Sequence, residues 1–249
     1  MQEAAKRMPH QKFLYTADYA GAPYGKKSEA EVASRVPAIL GRLAERYDPS
    51  LIVIACNTAC TIALSHVRAA LNIPIVGTVP AIKPASLATK TKVFGLLGTE
   101  ATIRQAYIDR LEQTNASDCI MIRHAAPDLV DAAEAKMRGE TADVHIYYDA
   151  IKGLTSQPDG DKIDQIILGC THFPLVAEEL SEHVDKRVRF LDGADGIARQ
   201  IERLLIDSGT PPETAGNPQH HFITSGNLAD IEPYKDKLAG FGFSQYSEI

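Results

Sequence analysis

The sequence predicts an α/β fold built on parallel sheets, on three observations. Short apolar runs of strand length recur along the chain, and longer amphipathic stretches with helical spacing separate them. Two of the runs end abruptly on a cysteine and turn polar at once. Strand alternating with helix is the pattern of a parallel sheet covered on both faces, and buried parallel strands read as continuous rather than alternating apolar runs. Ligands of such sheets bind beyond the carboxyl ends of the strands, so the two cysteine-bearing ends also predict where the chemistry lies.

Taken in order, the first run is FLYTA at 13–17, followed by SEAEVASRVPAILGRLAERY at 28–47, whose apolar residues recur at helical spacing. LIVIA at 51–55 and IPIVG at 73–77 are the next strands. VGTVPAIKPA at 76–85, with two prolines and no strong periodicity, marks a crossing between two α/β units. VFGLLG at 93–98 is a strand, TIRQAYIDRLEQ at 102–113 a helix, and CIMIR at 119–123, QIILG at 165–169 and VRFLD at 188–192 are strands. A second crossing falls near 191–198, after which HHFITSGN at 220–227 reads as a strand returning to the first unit. These boundaries define a first domain of residues 1–79 plus 192–249 and a second of 80–191. The two sheets are expected to face one another across a cleft.

A chain of 249 residues with 45% hydrophobic side chains can bury a real core. Its 26 basic and 32 acidic residues give a net charge of -6, with no Lys/Arg block, which argues against nucleic acid as primary ligand. The start, MQEAAKRMPHQK, lacks the apolar core of a signal peptide, and no apolar run approaches the roughly 18 residues of a membrane helix. A cytoplasmic protein without a membrane partner is expected. Its four cysteines, Cys56, Cys60, Cys119 and Cys170, are then read as thiols rather than disulfides.

LIVIACNTACT at 51–61 and QIILGCTHF at 165–173 share a design: an apolar run, a cysteine, then hydrogen-bonding residues. Free cysteine usually behaves as a small buried hydrophobe, and Cys119 and Cys60 are read that way. Cys56 and Cys170 differ, because Asn57, Thr58, Thr171 and His172 bring polar groups that a packing thiol does not need. Each of these two also precedes an expected helix, whose N-terminus favours the thiolate.

At these residues the chain resembles glutamate racemase, of the cofactor-independent aspartate/glutamate racemase superfamily. ACNTA around Cys56 and GCTHFPLV at 169–176 match the two cysteine motifs of that family in order and separation. PYGKKS at 23–28, IPIVGTVPAIKPA at 73–85, GTEATI at 98–103 followed by Tyr107, and PDLVDAAE at 127–134 match further blocks, so the resemblance covers the chain from about residue 13 onward. It implies two pseudosymmetric α/β domains with the active site in the cleft between them. It also implies interconversion of L- and D-glutamate without pyridoxal phosphate, metal or other cofactor. One cysteine thiolate removes the α-proton while the other, as a thiol, donates to the opposite face. The family assigns deprotonation of D-glutamate to Cys56 and of L-glutamate to Cys170, with Glu134 and His172 assisting on the Cys170 side. Asn57, Thr58 and Thr171 match positions that bind the substrate's ammonium and carboxylate, and Tyr24 and Gly25 match the loop at its side-chain end. Thr99 and Thr102 stand at an expected helix start that suits a carboxylate, although a simple N-cap accounts equally well for Thr99. His220 and His221 match no such position. The resemblance further implies D-glutamate supply for peptidoglycan, a homodimer, and, from VPAIKPA at 79–85, activation by a cell-wall nucleotide precursor.

One departure is marked. The family opens with a strand ending in Asp-Ser-Gly, whereas this sequence starts at MQEAAKRMP, which reads as the middle of the following helix. The expectation is a missing first strand, through a start read too late, a shortened chain or a natural variant. A smaller departure is YTADYAGAPYG at 15–25, with Gly21 where the family has a longer residue. The alternatives are a weakly active or inactive glutamate-binding member and a related amino-acid racemase or decarboxylase. A zinc site of Cys56, Cys170 and His172 lacks the usual Cys-x-x-Cys spacing, and a redox pair of Cys56 and Cys60 has the wrong spacer.

Overall fold

The computed structural model describes residues 1–249. Its strands are β1 (Leu14–Ala17), β2 (Ile52–Ile54), β3 (Ile75–Gly77), β4 (Val93–Gly98), β5 (Ile120–Ala125), β6 (Gln165–Leu168), β7 (Arg189–Leu191), β8 (His220–Thr224) and β9 (Phe243–Glu248). Its helices are α1 (Gln2–Arg7), α2 (Glu29–Tyr47), α3 (Asn57–Ala70), α4 (Ile82–Ala88), α5 (Glu100–Ile103), α6 (Ala106–Asn115), α7 (Asp128–Met137), α8 (Val144–Thr155), α9 (Ala177–Ser181), α10 (Ala194–Asp207) and α11 (Lys235–Gly240). Every strand pair is parallel, so the chain has the α/β class expected of it. It divides into two compact units, Met1–Ile54 with Ile62–Thr78 and Ala194–Ile249, and Ala55–Thr61 with Val79–Gly193.

In the first unit β8 lies between β1 and β9, and β2 pairs with β3 as a separate ladder. Helix α2 starts where Ser28 accepts a hydrogen bond from the Glu31 amide at 3.2 Å, and it ends where Asp48 takes a left-handed conformation. The N-cap matters because the first amides of a helix have no partner within it. Helix α1 packs on α10 through Ala4, Met8, Ala198, Ile201 and Leu205.

The second unit has strand order β5-β4-β6-β7. Both β4 and β6 are buried along their whole length, as their unbroken apolar sequences require. Val93 and Leu97 of β4 pack with Leu129, Ala133, Ile151 and Leu154 of α7 and α8. Phe94 and Leu96 point the other way, among Ile82, Ala85 and Ile108 of α4 and α6. Because β4 leads to β5 on one side and β6 to β7 on the other, the strand order reverses between β4 and β6. In open parallel sheets such a reversal is where ligands bind, outside the carboxyl ends of the two strands.

Three expectations change. The helix expected at 102–113 is two helices, since α5 ends at Ile103 and Gln105 adopts extended backbone before α6 begins. The segment 76–85 holds the end of β3 and the first turns of α4, where Pro84 is tolerated because a first-turn amide has no helical acceptor. Strand β9 was not expected; Ser244 and Gln245 on it are exposed, so it lacks a continuous apolar run.

Candidate active site

Cys56 follows β2 and opens α3: its carbonyl accepts from the Cys60 amide at 2.9 Å, and its sulfur lies 3.5 Å from the Ala59 amide. The helix start favours a thiolate, but burial outweighs it, and the nearby Cys170 adds to the effect, so the Cys56 thiol is pushed up to about 12. It is therefore a proton carrier at neutral pH. Cys60, one turn on, is buried and packs as expected. Cys119 is only partly so: it leans on the α6 side of the sheet, but its sulfur reaches Asp118 at 3.6 Å near the surface, because strand β5 begins there.

Cys170 follows β6 at the strand-order reversal. Gly169 before it must lack a side chain, since a Cβ would lie 2.6 Å from the Leu97 carbonyl, to which the Gly169 amide donates at 2.7 Å. This contact seats the cysteine against the end of β4. The Cys170 sulfur lies 3.8 Å from Nδ1 of His172, whose Nε2 is 2.8 Å from Oε1 of Glu134 on α7. Burial works against charge on His172, but hydrogen bonds to Cys170 and Glu134 and their charges prevail and raise it to about 10. The ring is an imidazolium at neutral pH and donates from both nitrogens. Cys170 thus has a cation beside its sulfur, whereas Cys56 does not.

The polar residues behind the cysteines connect the two loops. Asn57 Nδ2 donates to the Gly169 carbonyl at 2.6 Å, while its Oδ1 is buried without a partner. Thr171 Oγ1 donates to the Ala55 carbonyl at 3.1 Å. The hydroxyls of Thr58 and Thr99 are 3.3 Å apart and those of Thr99 and Thr102 3.1 Å, and Thr99 caps α5 by accepting from the Thr102 amide at 3.3 Å. The capping reading of Thr99 therefore holds, and a helix as short as α5 offers a carboxylate little dipole. Cys56, Asn57, Thr58, Thr99, Thr102, Glu134, Cys170, Thr171 and His172 all belong to the second unit.

Tyr24 and Gly25 lie in a 3-10 turn of the first unit. The Tyr24 hydroxyl donates to Asp18 Oδ2 at 2.5 Å, and Arg35 grips both Asp18 oxygens, from Nε at 2.5 Å and Nη2 at 2.6 Å. Ser225 completes the shell at 2.5 Å. Burial alone would raise the Asp18 carboxyl, but hydrogen bonds from Arg35, Ser225 and Tyr24 hold it at about 2. Sequence reading missed Asp18, Arg35 and Ser225; the signal was Gly21, where a Cβ would lie 2.3 Å from Asp18 Oδ2. His220 is buried against Phe13 and Phe243 as a packing residue. No group of three or more His, Cys, Asp or Glu side chains is arranged to hold a metal ion, and no helix is long and apolar enough to cross a membrane.

Residues 1–201 match the family model described as Asp/Glu/Hydantoin racemase. The chain is 57% identical over 204 residues to glutamate racemase of Sphingopyxis alaskensis, covering 82% of this chain and 76% of that one. It is 38% identical over 248 residues to glutamate racemase of Haemophilus influenzae strain PittGG, covering 100% of this chain and 90% of the relative. Among solved structures it superposes on Escherichia coli glutamate racemase, crystallised with L-glutamate and the activator UDP-MurNAc-Ala, with a TM-score of 0.90 at 31% identity, over 100% of this chain and 92% of that one. Correspondence over the whole chain favours an enzyme over a weakly active binding protein. On these matches the chain belongs to the Asp/Glu/hydantoin racemase family, in its glutamate racemase branch.

Proposed function

We propose that this glutamate racemase works by two-base proton transfer between Cys56 and Cys170, without a cofactor. The observation that carries the reading is the contrast between the thiols: one is held protonated by burial, and the other lies 3.8 Å from an imidazolium backed by Glu134. From L-glutamate, the Cys170 thiolate takes the α-proton, and the electron pair of the broken C–H bond passes into the carboxylate. The Cys56 thiol returns a proton to the opposite face, leaving Cys56 as thiolate and Cys170 as thiol. D-glutamate then reacts in reverse order, or solvent resets the pair. Two bases suit the reaction, because a single base would tend to return the proton to the face it left.

The unpartnered Asn57 Oδ1 suits the substrate ammonium, since a buried acceptor without a donor is costly. Thr58, Thr99, Thr102 and Thr171 supply further donors, and Tyr24 and Gly25 are assigned to the side-chain end on the resemblance alone. By the same resemblance the product serves peptidoglycan synthesis in the cytoplasm, the enzyme is a homodimer of two-domain subunits (1–79 plus 192–249, and 80–191), and a UDP-linked muramoyl-alanine precursor activates it.

The test is proton NMR of L- and then D-glutamate in deuterated buffer with no added cofactor. The expected result is loss of the α-proton signal with appearance of the opposite enantiomer, abolished by Cys56→Ser and by Cys170→Ser. Racemisation that survives either substitution would remove the two-base reading.

A further inference from the structure

Two hydrogen bonds run in opposite directions between the cysteine loops. Asn57, the residue after Cys56, donates to the carbonyl of Gly169, the residue before Cys170. Thr171, the residue after Cys170, donates to the carbonyl of Ala55, the residue before Cys56. Each cysteine is thus the middle of three residues whose outer two are tied to the outer two of the other loop. One tie would fix a separation and leave rotation about the tie free; two ties on either side of each cysteine restrict both. We infer that Asn57 and Thr171 form a reciprocal clamp that sets the spacing and relative orientation of the Cys56 and Cys170 sulfurs, and so act as positioning residues in addition to any substrate contact.

The surroundings fit a rigid frame. Gly169 is pinned to β4 by its 2.7 Å bond to the Leu97 carbonyl and by the absence of room for a Cβ. Cys56 is pinned by the first backbone bond of α3. Asn57 is buried, with 7% of its surface exposed, so water cannot readily replace its bond, whereas the bond from Thr171 to Ala55 lies between exposed residues and is the weaker of the two ties. The clamp matters because both sulfurs must address opposite faces of one carbon, and proton transfer falls steeply when reacting atoms are misplaced by even about 1 Å.

The inference rests on the two-cysteine reading, and the experiment separates the two. In a Cys119→Ser background, which removes the part-exposed thiol remote from the site, the rate of Cys56–Cys170 disulfide formation by diamide is measured without substrate and mapped by peptide mass spectrometry. Disulfide closure captures transient close approaches of the sulfurs, so a loosened frame oxidises faster. In parallel, deuterium entry into recovered substrate and into product is followed from each enantiomer.

Asn57→Ala and Thr171→Val are expected to oxidise about tenfold faster, to racemise about ten- to a hundredfold more slowly, and to incorporate deuterium into substrate of unchanged handedness, because deprotonation is no longer followed promptly by protonation from the far side. Thr171→Ser, which keeps the hydroxyl, restores both readouts. Should Asn57→Ala fail to fold, Asn57→Ser shortens the arm while keeping a polar group. An unchanged oxidation rate in folded variants, with deuterium confined to product and only KM raised, overturns the clamp and leaves Asn57 and Thr171 as substrate contacts. If the parent itself exchanges no α-proton, the racemisation mechanism fails while the oxidation rates still decide the clamp.

Discussion

Replacing Glu134 by Gln keeps its shape and removes its charge from the chain behind Cys170. His172 lies 2.8 Å from Glu134 and is raised from 6.5 to about 10, against burial, by its bonds to Cys170 and Glu134. With the two side chains 35% and 34% exposed, solvent screening leaves Glu134 a share of about 1–2 kcal/mol, where one pKa unit is about 1.4 kcal/mol. A group whose folded pKa is raised keeps its charge below that value and loses it as pH climbs through it. The parent imidazolium should therefore be lost near 10, and that of Glu134→Gln about one unit lower. Between about pH 9 and pH 10 the variant should then be roughly two- to sixfold slower, yet within about twofold of the parent near neutrality. Circular dichroism of both directions across the pH range reads this. Because the enantiomers are equal in energy, kcat/KM must fall by the same factor from either side, which checks the data internally. An alkaline limb that stays where the parent has it, or a uniform loss at every pH, would refute the electrostatic role.

Two further expectations concern the scaffold. Gly21→Ala places a Cβ 2.3 Å from Asp18 Oδ2 and 2.4 Å from Arg35 Nε; the ion pair must open, costing about 1–3 kcal/mol, with KM rising more than kcat falls if the Tyr24 turn serves the substrate. A melting temperature equal to the parent's would contradict the close fit. Asp164 is also held below its ordinary 3.8: burial opposes this, but the Thr89 hydroxyl and the Lys90 and Thr91 amides prevail. Its stabilisation is present above 3.8 and fades as pH falls through the lower folded value. Asp164→Asn should cost about 1–3 kcal/mol at neutrality and flatten that acid limb in urea titrations, and an acid limb as steep as the parent's would assign the effect to other carboxylates.

Strand β4, buried along its whole length, was legible because VFGLLG admits one reading, and α2 because the apolar residues after Ser28 recur at helical spacing. The break between α5 and α6 was hidden because the apolar spacing of 102–113 continues through Gln105, so periodicity does not record a backbone turn there. Strand β9 was hidden for the opposite reason, its half-exposed side chains resembling a loop. In the site, the two cysteines stood out because polar residues crowd behind each at a strand end. The Asn57–Gly169 and Thr171–Ala55 ties join segments far apart in the chain and use backbone carbonyls, which every residue type carries. Nothing in local composition distinguishes the carbonyls that are used.

The first unit is assembled from three separated pieces of chain, and β1 pairs only with β8, Leu14 standing opposite His221. A ribosome delivers Leu14 well before His221, so β1 must wait through synthesis of everything between them before its ladder can close. The second unit's sheet, drawn from Val93 to Leu191, has all its strands earlier. Domains generally fold as units while the chain emerges, so the β4–β6 sheet that seats Cys170 can be complete while the nascent β1, with Leu14 and Tyr15 exposed even in the finished fold, still presents unpaired edges on which a neighbouring strand can settle.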